Sequence, residues 1–230
     1  MSMTIDDIVW HQPVTLLPDP VREGAADARP IEGLISTGQV RVFDAEELAG
    51  AAAVQLEPEV RLMQKHFTFW RVTIPLSIRR GAKQRIDFLE LGVEWRAERR
   101  TAVTWSLDPL KVDQEIKVKT TGKVTAGLKL EALKVGGETA NSAEYVQWAP
   151  RVQAFGIGEA SSGWEFRPVK GNELGGISLL HAIVQVKRDT SCLGVVKIRA
   201  DIDEIGWLRS YRARKSDDTE VVDAFRVGTA

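Results

Sequence analysis

The stretch LKVDQEIKVKTTGKVTAGLKLEA, Leu110 to Ala132, decides how this chain is read. Its even positions are apolar, small or mildly polar: Leu110, Val112, Gln114, Ile116, Val118, Thr120, Gly122, Val124, Ala126, Leu128, Leu130 and Ala132. Its odd positions are Lys111, Asp113, Glu115, Lys117, Lys119, Thr121, Lys123, Thr125, Gly127, Lys129 and Glu131, with no apolar side chain among them. Successive residues of a strand point to opposite faces, so a period of 2 held this long means β-structure with one wet and one dry face.

As one straight strand the stretch would span about 75 Å at ~3.3 Å per residue, whereas ordinary strands have about 5–6 residues. A hairpin over about 110–134 is therefore expected, with Thr121-Gly122-Lys123 as its turn. A three-residue loop there keeps even positions opposite even ones: Thr120 with Val124, Val118 with Ala126, Ile116 with Leu128. A two-residue turn would set dry residues against wet ones.

Arms of about ten residues match the length of a membrane-spanning β-strand. In that length and alternation, Leu110–Ala132 is similar to the stem hairpins of β-pore-forming toxins. The resemblance covers these residues alone and implies an oligomer that inserts the hairpin into a membrane. The departures from that pattern are a polar tip, a densely charged wet face and a dry face interrupted by Gln114, Thr120 and Gly122.

The chain of 230 residues is 43% apolar, with seven Trp and seven Phe, enough to bury a substantial core. Its formal charge is -1, which argues against a generic polyanion binder, but the charge is unevenly spread. Residues 1–64 carry 4 Lys+Arg against 11 Asp+Glu, and residues 65–134 carry 15 against 8. An acidic N-terminal segment lying near a basic β surface accounts for this, as does a basic surface meeting an acidic partner.

The single cysteine, Cys192, excludes an intramolecular disulfide and a multi-cysteine metal site. Met1–Gln12 contains Asp6 and Asp7 rather than a basic start and a long apolar run, so it does not read as a signal peptide. No run approaches the ~18 apolar residues of a membrane helix. The expected compartment is the cytoplasm.

Residues 1–43, with Pro13, Pro18, Pro20 and Pro30, read as irregular apart from a short strand near Gly38–Phe43. Asp44 followed by Glu47 is a helix start leading into an alanine-rich run, and Pro58 opens a second short helix. From His66 onward the pattern is strands. Trp70, Val72, Ile74, Leu76 and Ile78 share a face, with Pro75 marking an edge strand or bulge. Leu89, Leu91, Val93 and Trp95 follow, then Val103, Trp105 and Leu107 in phase. Farther on, Leu180, Ala182, Val184 and Val186 form one dry face, and Val196, Ile198, Ala200 and Ile202 another. The expected architecture is mainly β: an antiparallel β-sandwich or barrel-like domain over 65–230 carrying the long amphipathic hairpin. A small, acidic, partly helical segment over 1–64 precedes it.

No catalytic constellation stands out. His181 lies in an apolar strand and reads as a core or half-buried histidine. Asp201 and Asp203 point the same way if their strand continues, a geometry open to a hard cation but equally that of a wet strand face. No metal site is assigned. Gly156–Gly163 lacks the Lys-Ser/Thr of a phosphate loop and precedes a strand, so it reads as a tight turn. Cys192 has no histidine beside it in sequence and reads as an ordinary cysteine.

Arg209, Arg212 and Arg214, interleaved with Trp207 and Tyr211, make a basic-aromatic patch, but Asp217, Asp218 and Glu220 follow at once and weaken its field. Nucleic acid is not the expected partner. The reading preferred from sequence is a non-enzymatic interaction or assembly module. It would bind another protein, or itself, through a basic β surface that includes Lys117, Lys119, Lys123, Lys129, Arg209, Arg212 and Arg214. The alternatives are a pore-forming or membrane-inserting β protein using the 110–134 hairpin, and an enzyme with a dispersed carboxylate site. No cofactor is expected.

Overall fold

The computed structural model describes residues 8–19, 29–51, 58–97, 101–121, 142–169, 172–204, 207–214 and 221–228. Where apolar residues recur at every second position the chain is extended. In order, the elements are β1 (Trp10–Pro13), β2 (Thr15–Pro18), β3 (Ile35–Gly38), β4 (Arg41–Asp44), α1 (Ala45–Ala51) and α2 (Pro58–Met63). Then come β5 (Phe67–Ile78), β6 (Gln84–Arg96), β7 (Ala102–Asp108), β8 (Lys111–Thr121), β9 (Ser142–Phe155) and β10 (Ser161–Phe166). The last four are β11 (Gly176–Lys187), β12 (Ser191–Glu204), β13 (Trp207–Arg214) and β14 (Asp223–Gly228).

The strands form two antiparallel sheets, as the alternation predicts. The first runs β1-β3-β5-β11-β7, with β4 also beside β5. The second runs β2-β13-β12-β6-β10-β9-β8, with β14 also beside β12. Val72, Ile74, Leu76, Leu180, Ala182 and Val184 of the first sheet and Leu89, Leu91, Val93, Trp164, Val196 and Ile198 of the second belong to one core, none more than 3% exposed. Each large apolar side chain buried this way contributes about 1.5–3 kcal/mol. One polar link lies within the core. Thr104 Oγ1 of β7 accepts from Trp95 Nε1 of β6 at 2.8 Å and lies 2.6 Å from Ser162 Oγ of β10, so the two sheets share a satisfied hydrogen-bond network.

Local chemistry sets the helix starts. Asp44 Oδ1 accepts from the backbone N–H groups of Glu46 and Glu47, capping α1, and Pro58 opens α2.

The N-terminal residues differ from the irregular segment expected: β1, β3 and β4 are built into the first sheet and β2 into the second. Pro13 and Pro18 are tolerated because each closes a four-residue strand at the margin of its sheet, where no ladder donor is needed. Pro75 is also placed differently, in the interior strand β5. It pairs with Leu179 on one side, and on the other it falls where β3 gives way to β4. A Cβ on Gly38 would come within 2.8 Å of the Pro75 ring, so glycine is what lets the chain pass there.

In β7 the phase changes. Ala102, Thr104 and Leu107 are buried, whereas Val103 and Trp105 are not, because the ladder to β11 shifts register between Ile183 and Val184. Trp105 instead meets the edge of Phe69 at 5.6 Å. A bulge of this kind carries no signature in an alternating sequence.

Candidate functional site

The ladder of β8 and β9 continues the second sheet beyond β10. The peptide Asp108–Pro109, which is cis, carries the chain from the end of β7 in the first sheet to β8 at the end of the second. At its root the ladder is anchored: Ala154 donates its N–H to Leu110 O at 2.9 Å, and Trp164 Nε1 donates to Pro109 O at 3.0 Å. Val152 is 8% exposed and part of the core, but its cross-strand partner Val112 is 41% exposed and Leu110 58% exposed.

Beyond that pair the register orders the charges. The ladder shifts between Val112 and Asp113, so that Val112 opposes Val152 while Asp113 opposes Pro150. From there Gln114 pairs with Ala149, Ile116 with Gln147, Val118 with Tyr145 and Thr120 with Ala143. Residues directly opposite in an antiparallel ladder share a face. One face of the ladder therefore holds these eight positions, none of them charged. The other holds Asp113 with Pro150, Glu115 with Trp148, Lys117 with Val146, Lys119 with Glu144 and Thr121 with Ser142. All five charged residues of this segment fall on that second face. Val146 and Trp148 share it, so it is mixed rather than uniformly polar.

The partner of β8 is the finding that sequence reasoning missed. The described ladder joins β8 to residues 142–153, a pairing the sequence reading did not name. Residues 122–141, with Lys123, Lys129 and the expected turn, lie outside the described residues. The register shift that brings odd positions of β9 into phase with even positions of β8 is again a bulge, invisible to parity counting.

Of the expected basic residues, Lys117 and Lys119 hold register positions on the charged face of the ladder; at its root Lys111 Nζ bridges Asp113 at 2.9 Å. The arginine patch does not assemble on one face. Arg209 pairs in register with Ile202 and Arg212 with Arg199, positions of opposite parity on β13. Arg209 bridges Glu204 at 3.7 Å, and Arg212 bridges the buried Asp19 at 2.9 Å. Arg214 pairs with Thr15 at the end of the strand.

Elsewhere several polar groups are engaged by their neighbours. His181 is half-buried, with Nδ1 3.0 Å from Thr73 Oγ1 and Arg71 Nη2 3.3 Å from both ring nitrogens. Burial and then the Arg71 charge hold its pKa below the ordinary histidine value, with Asp108 opposing. Asp201 accepts from Ser210, and Asp203 is bridged by Arg85 at 3.3 Å. On the outer face of the second sheet Glu94 is held between Lys197 at 2.8 Å and Arg96 at 3.3 Å, which keeps its carboxyl below the usual range.

Cys192 is buried within β12, and burial pushes its thiol up to about 11, away from thiolate chemistry. Residues 156–160 form the turn from β9 to β10, as expected. Gly156 has φ 78°, and a Cβ there would strike Ser161 O.

The class these elements define is a two-sheet antiparallel β-sandwich that ends in an amphipathic ladder. No family model and no curated protein matches the sequence. Among solved structures it is similar to the Clostridium perfringens NetB toxin in its membrane-inserted form, with 9% identity and a TM-score of 0.33. That match covers 96% of this chain and 94% of the other. It is also similar to a structure described as a pore forming protein, with 7% identity, a TM-score of 0.35 and coverage of 91% and 93%. For Clostridium perfringens delta-toxin the identity is 7%, the TM-score 0.29 and the coverage 70% and 77%. Likeness at these TM-scores assigns no function to this chain.

Proposed function

We propose that the chain is a self-associating, membrane-inserting β protein whose β8–β9 ladder is the inserting element. The observation that carries this reading is the register of the β8–β9 ladder, which sets uncharged positions on one face and charged positions on the other, with Val112 and Leu110 exposed at its root. Length alone is no argument, since β5, β6, β11 and β12 are equally long. Those strands have their dry faces in the core.

Eleven residues in β8 and fourteen in β9 suffice to cross a bilayer, which needs about 9–11 per tilted strand. An uncharged face suits lipid and a charged face suits a water-filled lumen. A lone hairpin leaves two unpaired edges in hydrocarbon, so insertion requires several copies closing a barrel. The intervening sequence keeps the same order. Its charges stand at odd numbers up to Glu131 and at even numbers from Lys134, the parity of the charges in β8 and of Glu144 in β9 respectively.

The docking-module reading has weaker support, because Arg209 and Arg212 already neutralise Glu204 and Asp19.

Release of a trapped dye from liposomes tests the proposal, with anionic lipid, acid or protease as trigger. The unmodified chain should release dye. Val118→Lys, which places a charge on the uncharged face at a cost of about 2–4 kcal/mol near mid-bilayer, should lower release more than tenfold. Lys119→Gln on the opposite face should leave release largely intact. Absence of leakage under every trigger refutes the proposal.

A further inference from the structure

We infer that the outer face of the second sheet holds a binding site for a phosphate that still carries a proton, between Arg199 of β12 and Glu90 of β6. One row of positions crosses this face. Arg212 of β13 pairs in register with Arg199, Arg199 with Glu90, and Glu90 with Glu165 of β10. The row therefore reads cation, cation, anion, anion, and like charges directly opposite each other repel. Its two end members are neutralised from off the row, Arg212 by Asp19 at 2.9 Å and Glu165 by Arg167 at 3.1 Å. Arg199 and Glu90 are left in the middle.

These two are cross-strand partners of opposite charge, yet among the described residues they form no ion pair with each other. A hollow of about 200 Å³ lies there instead, lined by both side chains and by Lys197 and Arg212. Arg199 Nε is buried without an acceptor, a state that costs about 1–3 kcal/mol. The guanidinium is nonetheless held in place: the Phe88 ring centre lies 5.7 Å from Arg199 Cζ and 4.9 Å from Arg167 Cζ. An arginine that is fixed, short of an acceptor and beside a second arginine is preorganised for an oxyanion.

Glu90 decides which oxyanion. A carboxylate in the lining repels a fully deprotonated anion such as sulfate, and it accepts a hydrogen bond only from a ligand that brings a donor. Hydrogen phosphate answers both sides of the hollow: its anionic oxygens suit Arg199 and Arg212, and its P–OH donates to Glu90. Lys197, bridged to Glu94 at 2.8 Å, adds positive charge at the rim. A phosphate monoester, whose second pKa is about 6, offers the same protonated group in mild acid. The shared chemistry is thus a protonated phosphoryl group, either free or at the end of a lipid headgroup.

This site does not rest on membrane insertion. It is built entirely on the sandwich, from β6, β12 and β13, and is complete without lipid.

Calorimetric titration of the full chain with inorganic phosphate, at neutral pH and fixed ionic strength without lipid, tests it. Phosphate should bind, and sulfate should bind at least about tenfold more weakly because it sets unprotonated oxygens against Glu90. Arg199→Gln, checked for a folded circular-dichroism spectrum, should weaken phosphate at least about tenfold. Glu90→Gln should keep phosphate and gain sulfate, since its amide no longer repels and can donate. A wild-type chain that does not bind phosphate overturns the inference. So does sulfate binding equal to phosphate, an Arg199→Gln chain that binds like wild type, or a Glu90→Gln chain that still excludes sulfate. Vesicles containing phosphatidic acid, in mild acid, separate the two sources: co-sedimentation lost in Arg199→Gln assigns a headgroup, and co-sedimentation indifferent to Arg199, or none, assigns the free ion. Dye release is a separate readout, and its failure leaves this result standing.

Discussion

Val112 and Val152 face each other across β8 and β9, yet Val152 is 8% exposed and Val112 41%. Past that pair the β8–β9 ladder continues to Thr121 and Ser142, with its charged positions on one face of the register.

The network that joins the sheets behind this root sets local stability. Thr104→Val removes the hydroxyl that accepts from Trp95 and contacts Ser162, leaving both buried partners short of a hydrogen bond. The expected loss is about 1–3 kcal/mol. Urea unfolding monitored by tryptophan fluorescence measures it, with the midpoint falling and the slope unchanged.

The Asp19–Arg212 pair is a second anchor, holding the chain after β2 against β13. Asp19 is 3% exposed, so Arg212→Ala takes a charged partner from a buried carboxylate. Breaking a fully buried pair costs about 3–5 kcal/mol; with Arg212 partly exposed, roughly 2 kcal/mol is expected. Asp19→Asn, which removes the charge as well, should restore part of it in the Arg212→Ala background.

How much of this was legible in the sequence depends on the element. Parity located β5, β6, β11 and β12 and their buried faces, because an unbroken alternation of large apolar residues has one physical solution in a two-layer β protein. It failed at Trp105 and at the β8–β9 root, where one extra residue on a strand reverses the phase. Pairing also escaped it: the partner of β8 begins twenty-one residues after Thr121, at Ser142, and nothing local to either strand encodes that distance. The arginines of β13 looked like a patch because sequence proximity hides both their opposite parity and the distant Asp19.

Acid should loosen the first sheet through His181. Burial and Arg71 hold its folded pKa below the ordinary 6.5, so the unfolded chain binds the proton more readily. Its contribution to stability is present above that value and is lost as pH falls through the depressed folded pKa. Thermal melts between neutral and mildly acidic pH should show a falling midpoint, and His181→Gln should flatten the fall. Glu94, whose pKa is lowered from 4.5, acts in the same direction only at more acidic pH.

At the turn that covers the β7 edge, Gly156→Ala should destabilise the chain by about 1–3 kcal/mol, since φ is 78° and the new Cβ would meet Ser161 O. Gly158→Ala, also at positive φ but with open space around it, should cost less. Comparing the two unfolding midpoints separates steric clash from backbone strain.

The most direct measurement of membrane insertion is a scan of an environment-sensitive fluorophore along β8. Single cysteines at positions 114 to 119, in a Cys192→Ala background, would be labelled one at a time and mixed with vesicles under releasing conditions. Insertion through the β8–β9 ladder predicts a blue shift at 114, 116 and 118 and none at 115, 117 and 119, a period of 2 matching the uncharged face. Vesicle-bound protein whose probes stay aqueous at all six positions, or shift without alternation, would contradict it.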